Sequence, residues 1–200
     1  MHFSVGFLVT MLLIRKVHSL VEITNFKCES LDRNFSNFEY CRLKSVNRTY
    51  KYVSLKVNLF QTPVNQVKVN TAFYKRLNGY KPFLYNVAVD GCKFMKNQNS
   101  SPVSKYIFGV FKDASNINHS CPYDVRKTKQ KTSAFRYCFK YIYFSVSAWH
   151  DIFVEKLSAE NINFQITKIL PFPEGKYMIQ MHWFAYEINR AIIRLYYTLT

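Results

Sequence analysis

His150 and Asp151 are adjacent in the sequence, and His182 lies farther along the chain. A histidine beside a carboxylate could act as a general base. Adjacent residues of a β-strand, however, point to opposite faces of the sheet, so this pair would not form a dyad. The sequence also contains no GxSxG, HExxH or phosphate-binding loop pattern. We therefore predict a protein without catalytic residues or a cofactor, in which His182 is an ordinary residue on the polar face of a strand.

Five cysteines offer a second kind of chemistry: Cys28, Cys41, Cys92, Cys121 and Cys138. They form no CxxC pair and no cluster with histidine at zinc spacing, which argues against a metal site. In an oxidising compartment four would pair and one would be left over. Several pairings satisfy the sequence. Nearest-neighbour pairing predicts Cys28–Cys41 and Cys92–Cys121, each stabilising by roughly 3 kcal/mol through loop closure, and leaves Cys138 unpaired.

The chain begins with a mostly apolar run from Phe3 to Ile14. A transmembrane helix needs about 20 apolar residues, so this run is better suited to the core of a signal peptide. We predict a signal peptide at residues 1–19 and a secreted, extracellular protein without a stable transmembrane segment. An uncleaved membrane anchor is the alternative, because Arg15 and Lys16 follow the run.

Four N-x-[ST] triplets support secretion, because such triplets are glycosylation acceptors in secreted proteins. The acceptor residues are Asn34, Asn47, Asn99 and Asn118. We expect all four to lie on the surface and to carry glycans.

The elements that must position these groups are mainly strands. Apolar and polar residues alternate in YVSLKVNLF and again in VKVNTAF, and the QTPVNQ segment between them contains the turn-forming Pro63. This pattern predicts a hairpin. Ser101 and Pro102 are typical of a helix start, at the head of the one segment with helical spacing. About seven or eight strands with one short helix predict an all-β, immunoglobulin-like antiparallel β-sandwich, a single domain over residues 20–200.

The formal net charge of +16 suggests nucleic-acid binding, because Lys and Arg near phosphates release counterions. Much of this charge, however, lies in residues 125–149, which contain no acidic residue. The remaining excess is moderate and scattered along the chain. We therefore predict no nucleic-acid partner, and we rank an anionic polymer or membrane surface below the partners considered next.

Several short motifs, taken in order, are more specific. They are FKCESLD, FEYCRLKSVNRTYKYVSLKVNLF, GYKPFLYNV, DGCKF, NHSCPYD and LPFPEGKY. Together they resemble a large insect family of small secreted proteins of unknown function, related to the ML lipid-recognition superfamily with its ganglioside-activator-like and chemosensory members. The resemblance implies an ML-like sandwich whose two sheets are splayed enough to hold a hydrophobic ligand.

Residues 125–149 depart from this resemblance, because in the family a CPYD-like motif is followed almost at once by a segment like HDIFVEKL. We therefore predict an insertion. One explanation is a long surface loop, since loop-closure entropy rises slowly with length. The other is a retained intron, because Val125-Arg126 can be encoded by a splice-donor-like sequence and the Lys, Phe, Tyr and Ile that follow permit AT-rich codons.

The function expected from the sequence is secreted binding of a small hydrophobic ligand, a lipid or a pheromone-like molecule, in chemosensation. Side chains on the inner faces of splayed sheets can contact such a ligand without any catalytic group. The predicted wall residues are Leu59, Phe73, Phe83, Val87, Phe108 and Trp183, with ordinary core packing as the alternative for each. The alternative function is a secreted protein ligand or co-receptor that engages a cell-surface receptor through a surface patch.

Overall fold

The computed structural model describes residues 20–47, 50–84, 86–123, 151–163 and 172–200. Nine strands occur within these ranges: β1 (Val21–Ser30), β2 (Ser36–Ser45), β3 (Lys51–Leu59), β4 (Val67–Leu77), β5 (Gly79–Pro82), β6 (Val87–Asp90), β7 (Ile152–Ser158), β8 (Gly175–Ala185) and β9 (Ile188–Leu199). The larger sheet has the order β1-β9-β8-β4-β5, with β6 also paired to β4, and the smaller has the order β2-β3-β7. All pairings are antiparallel. The predicted all-β antiparallel sandwich is confirmed.

The core lies between the two sheets and follows from alternation along the strands. In β9, Ile193, Leu195, Tyr197 and Leu199 are all buried, and one cluster joins them to side chains of β3 and β7 in the other sheet. Residues two apart on a strand share a face, so this spacing directs every second β9 side chain inward. Each such apolar side chain contributes about 1.5–3 kcal/mol when fully buried.

The predicted hairpin between YVSLKVNLF and VKVNTAF is wrong, although both segments are strands. β3 pairs with β2 and β7, whereas β4 pairs with β5, β6 and β8 in the other sheet. The connection between them passes from one sheet to the other and is held by Val64, which is 3% exposed and pairs with Tyr123. Alternation defines which side chains of a strand point inward, but it does not identify the neighbouring strand.

Two short helices follow β6: α1 (Gly91–Lys96) and α2 (Pro102–Phe111). The predicted helix start is confirmed, since Pro102 is the first residue of α2 and the Ser101 side chain caps it, accepting from the Ser104 amide at 3.4 Å. The sequence interpretation missed α1, because a six-residue helix is too short to show a helical period. The Asp90 carboxylate caps α1 by accepting from the Lys93 amide at 3.0 Å. Neither α1 nor α2 has the length and apolar character needed to cross a membrane.

Both predicted disulfides are confirmed. Cys28–Cys41 joins β1 of the larger sheet to β2 of the smaller, with 6.1 Å between the Cα atoms. Cys92–Cys121 joins the start of α1 to the loop after α2, with 5.3 Å between the Cα atoms. The predicted signal peptide at residues 1–19, the predicted insertion at residues 125–149 and Cys138 lie outside the described residues.

The four predicted glycan acceptors, Asn34, Asn47, Asn99 and Asn118, are all exposed. Asn34, Asn47 and Asn118 lie in turns or loops, and Asn99 lies in a short 3-10 helix, Gln98–Ser100. Glycan attachment itself stays a prediction.

Candidate ligand-binding site

A cavity of about 120 Å³, the main cavity, lies between the two sheets. Both sheets and the loop segments at one end of the sandwich supply its walls, and nearly all of these side chains are apolar. The lining comprises Phe26, Phe35, Ser36, Phe38, Val53, Leu55, Val57, Leu59, Val64, Val67, Phe111, Ile117, Tyr123, Ile152, Val154, Leu157, Met181, Trp183, Phe184, Ala185, Arg190, Ala191, Ile193 and Leu195. Such a surface favours an apolar occupant, because it offers few hydrogen-bonding groups to water.

The two long sides of the sandwich are closed in different ways. On one side β1 lies against β2 and β3, and the Cys28–Cys41 disulfide joins the sheets directly. On the other side the residues from Gly91 to Tyr123, here called the closing segment, run from the β6 edge of the larger sheet to the β7 edge of the smaller one. A full segment of chain with two helices therefore occupies the space between these two sheet edges.

Three attachments hold the closing segment. The Cys92–Cys121 disulfide ties its two ends together. Tyr123 and Val64 exchange two backbone hydrogen bonds, each of 3.0 Å. The Asn116 side chain pairs with the backbone at the start of β7. Its amide group donates to the Asp151 carbonyl at 2.8 Å, and its oxygen accepts from the Phe153 amide at 2.9 Å. The segment is therefore fixed to the β3–β4 connection and to the start of β7.

A second cavity, of about 60 Å³, lies between the closing segment and the strands β4 and β6. Its lining comprises Val67, Val69, Thr71, Val87, Val89, Gly91, Phe94, Met95, Ser104, Ile107, Phe108, Phe111, Ile117, Tyr123, Met181 and Trp183. Six of these residues also line the main cavity: Val67, Phe111, Ile117, Tyr123, Met181 and Trp183. The two cavities are therefore neighbours that share one wall.

The structure distributes the predicted wall residues over three places. Leu59 lines the main cavity, Val87 and Phe108 line the second cavity, and Trp183 lines both. The two others, Phe73 and Phe83, are absent from both linings as described. They pack instead against Phe172, with ring centroids 6.4 Å and 5.7 Å away, respectively.

The sequence interpretation missed most residues of the shared wall. Phe111 falls at the helical spacing of α2 and could have been chosen by the same criterion as Phe108. Tyr123 follows Cys121-Pro122 in a loop, where no period directs a side chain inward. Its position depends on the backbone pairing with Val64, which joins residues far apart in the chain.

Arg190 is the one charged residue in the described lining of either cavity. Its guanidinium forms an ion pair with the Asp32 carboxylate and lies over the Phe35 ring, 4.1 Å from the ring centroid. The charge is therefore already paired at the edge of the cavity. A ligand with its own charge would need a counter-charge that this lining does not offer.

Burial raises the pKa of the Tyr123 phenol to about 12. An unfolded tyrosine ionises near pH 10. Below pH ~10 the phenol is therefore protonated in both the folded and the unfolded chain, and the free energy of unfolding keeps its full value. Between pH ~10 and ~12 the unfolded chain loses its proton first, which lowers the free energy of unfolding. We expect Tyr123→Phe to make this alkaline decline shallower, as measured by urea unfolding at about pH 9 and about pH 11. Tyr80→Phe, on the edge strand β5, is the control for loss of a hydroxyl group, and equal declines for Tyr123→Phe and the unsubstituted protein would contradict the expectation.

A cluster of three charged side chains lies outside both cavities, on the smaller sheet. Lys56 Nζ lies 2.7 Å from a Glu39 oxygen and 2.9 Å from an Asp151 oxygen. Hydrogen bonds to Glu39 and Asp151 raise the pKa of Lys56. Asp151 thus joins β3 to the start of β7 through an ion pair, while its sequence neighbour His150 lies outside the described residues. Within the described ranges, no three His, Cys, Asp or Glu side chains are grouped closely enough to hold a metal ion.

His182 lies mid-strand in β8, as expected from the sequence. Its two ring nitrogens contact the side-chain amides of Gln180 at 2.7 Å and Asn189 at 2.9 Å. Burial, and then the nearby Arg194 charge, lower the pKa of His182. The histidine is therefore part of a hydrogen-bonded row of polar side chains on the larger sheet, which continues through Gln180 to Arg194.

Comparison with known proteins finds a family match for part of the chain. Residues 69–137 match the model of a family described as "Protein of unknown function (DUF1091)". The match begins within β4 and includes β5, β6, α1, α2 and both cysteines of the closing segment. No curated protein matches the chain. A DUF1091 domain is therefore found at residues 69–137, and it contains the closing segment, which supplies Phe111, Ile117 and Tyr123 to the shared wall.

Proposed function

We propose that this protein is an extracellular binding protein that holds a small apolar molecule, a lipid or a pheromone-like compound, between its two sheets. The observation that carries the proposal is the main cavity, about 120 Å³ in volume and lined by apolar side chains of both sheets. An apolar cavity that nothing fills costs free energy, because its lining atoms lose dispersion contacts. A ligand that fills it restores those contacts.

The cavity size limits the kind of ligand. An apolar cavity of about 150 Å³ stays dry in an engineered protein and binds benzene, whereas sites for drug-sized molecules are about 300–1,000 Å³. The main cavity of about 120 Å³ and its neighbour of about 60 Å³ share a wall. Slender chains that enter one or both spaces therefore fit better than a bulky polycyclic molecule.

An extracellular location is supported by the two disulfides and by the four exposed acceptor asparagines. Disulfides persist mainly in oxidising compartments. A sandwich with an apolar interior space is also what an ML-like lipid-binding protein would need. We propose that relation, and a role in chemosensation, on the strength of the sequence motifs and this cavity together.

Uptake of a fluorescent lipid tests the proposal directly. Delipidated protein should bind a slender, uncharged fluorescent lipid analogue saturably, because each methylene group moved out of water contributes about 0.8 kcal/mol. A non-fluorescent lipid should displace the probe, and protein denatured and reduced in guanidinium is the control for non-specific partitioning. Failure of the folded protein to take up any probe from a series of fatty acids, sterols and hydrocarbons would contradict the proposal. Native mass spectrometry of protein purified from its source would identify the natural ligand.

A second candidate function is supported by apolar side chains at one end of the sandwich. Leu31, Phe60, Tyr186 and Ile188 are 42–59% exposed. Backbone hydrogen bonds of 2.9 Å from Leu31 to Arg190 and from Phe60 to Phe35 join the connections that carry them. This patch favours a protein ligand or co-receptor that engages a cell-surface receptor. One experiment distinguishes the two candidate functions. Filling the main cavity should impair a ligand carrier but not a protein that acts through its surface patch.

A further inference from the structure

Two tyrosine rings meet on the outer face of the larger sheet, the face that points away from the smaller sheet, although their strands are not neighbours. Tyr80 lies in β5 and Tyr196 in β9, with β4 and β8 between them. Their ring centroids are 5.6 Å apart. Both side chains therefore lean across the sheet, and Met178, the β8 partner of Tyr196, is only 7% exposed. The two tyrosines themselves are half-buried, so part of each stays open to solvent.

Arg76 and Lys176 are exposed cations on the same outer face. Arg76 is the partner of Tyr80 in the β4–β5 pairing, and directly opposite residues share a face of the sheet. Lys176 precedes Tyr177, which is 1% exposed in the core, so Lys176 points to the opposite face. Tyr80, Tyr196, Arg76 and Lys176 are here called the outer corner.

The outer corner and its surroundings have an excess of positive charge. Neither Arg76 nor Lys176 forms an ion pair with a residue that the structure describes. Two more cations, Lys75 and Lys81, are direct partners in the β4–β5 pairing, where like charges repel. Glu174 lies two residues before Lys176, and it pairs with none of these four cations. An anionic partner would offset the repulsion.

The side chains of the outer corner favour an acidic polysaccharide as that partner. The C–H faces of sugar rings pack against aromatic rings, and phenol groups form hydrogen bonds with sugar hydroxyls. Arginine and lysine bind sulfate and carboxylate groups. An anionic bilayer fits less well, because the anionic leaflet of a cell membrane faces the cytoplasm. The two disulfides and the exposed acceptor asparagines support an extracellular location instead.

The outer corner is separate from the proposed ligand-binding site, because none of its four residues lines either cavity. Its cations and their neighbours are dispersed in the sequence, so an anionic polymer ranked low there. The fold brings these cations together, from β4, β5 and β8, at one edge of the larger sheet.

We propose that the outer corner binds an acidic polysaccharide of the extracellular space. Tyr80 and Tyr196 pack against its sugar rings, and the two cations pair with its sulfate or carboxylate groups. This interaction is additional to the proposed ligand binding and does not depend on it. It retains the protein at a cell surface or matrix and leaves both cavities free for a ligand.

Titration with heparin tests the cations of the outer corner. The protein should bind heparin with an affinity that falls as salt screens the charges, and it should not bind neutral dextran. Arg76→Ser/Lys176→Ser should weaken heparin binding about tenfold, the combined effect expected for two exposed ion pairs. Lys105→Ser/Lys112→Ser is the matched control, because it removes the same charge from exposed positions of the closing segment. Heparin binding that the outer-corner substitutions leave unchanged, or weaken no more than the control does, would overturn the proposal.

Tyr80 distinguishes recognition of sugar rings from attraction of charge alone. The ratio of heparin affinity to polyglutamate affinity should fall about fivefold in Tyr80→Leu, which still covers Met178 but lacks the ring, and should be unchanged in Tyr80→Phe. Circular dichroism checks that each variant is folded. An unchanged ratio in Tyr80→Leu would show a contact that depends on charge alone, and tighter binding to phosphatidylserine vesicles than to heparin would show a membrane contact. Either outcome overturns the inference and leaves the proposed ligand binding standing.

Discussion

Ala191→Leu is expected to weaken binding of the fluorescent lipid probe roughly thirtyfold, because about 2 kcal/mol of ligand burial is lost when the side chain occupies the ligand's space. Ala191 is 6% exposed, lines the main cavity and lies opposite Trp183 in the β8–β9 pairing. The three added carbon atoms enter the cavity rather than solvent. Burying them should also stabilise the free protein by about 0.5–2 kcal/mol, as cavity-filling substitutions commonly do.

The two effects have opposite signs, which makes the result easy to interpret. Thermal unfolding should show a melting temperature raised by about 2–4 °C per kcal/mol for a chain of this size, while probe titration shows the lost affinity. Ala88→Leu is the matched control, because Ala88 is exposed on β6 and lies in neither lining. A stabilised Ala191→Leu protein that still binds the probe normally would show that the main cavity is not the binding site. Retained signalling with lost probe binding would favour the receptor-binding alternative.

Removing either disulfide should lower stability by a similar amount, whereas only one of the two removals should weaken probe binding. Removing Cys92–Cys121, with a sequence separation of 29, should lower the free energy of unfolding by about 3–4 kcal/mol; removing Cys28–Cys41, with a separation of 13, should cost about 3 kcal/mol. The first bond closes the segment that supplies Phe108, Phe111 and Tyr123 to the cavity walls. The second lies on the opposite side of the sandwich.

Paired serine substitutions at each bond therefore form a matched experiment. Probe affinity is measured at low temperature, where circular dichroism shows that each variant is folded. Cys92→Ser/Cys121→Ser should lose binding, because the closing segment is freed from one of its three attachments and the shared wall loosens. Cys28→Ser/Cys41→Ser should bind almost as the unsubstituted protein does. Equal affinities for the two folded variants would show that closure of this segment has no part in binding.

Several elements could be predicted from the sequence because their causes are local. Period-two alternation places Ile193, Leu195 and Tyr197 on one face of β9 whatever strand lies beside it. Ser101-Pro102 starts α2 because a hydroxyl cap and a preset backbone angle act within one turn. The disulfide partners could be predicted from proximity in the chain, since near neighbours meet at a small cost in loop entropy.

Sheet membership and the cavities are not local properties, and only the tertiary structure decided them. The same alternating pattern allows β3 and β4 to form a hairpin or to lie in opposite sheets. They lie in opposite sheets here, and Val64 of the connection between them pairs with Tyr123. Likewise, Phe73 and Trp183 are both inward-facing aromatic residues, yet Phe73 packs against Phe172 while Trp183 lines both cavities. Whether an apolar side chain packs or lines a cavity depends on the distance between the sheets at that point. The closing segment contacts the β3–β4 connection and β7 on one side of the sandwich, through residues far apart in the sequence.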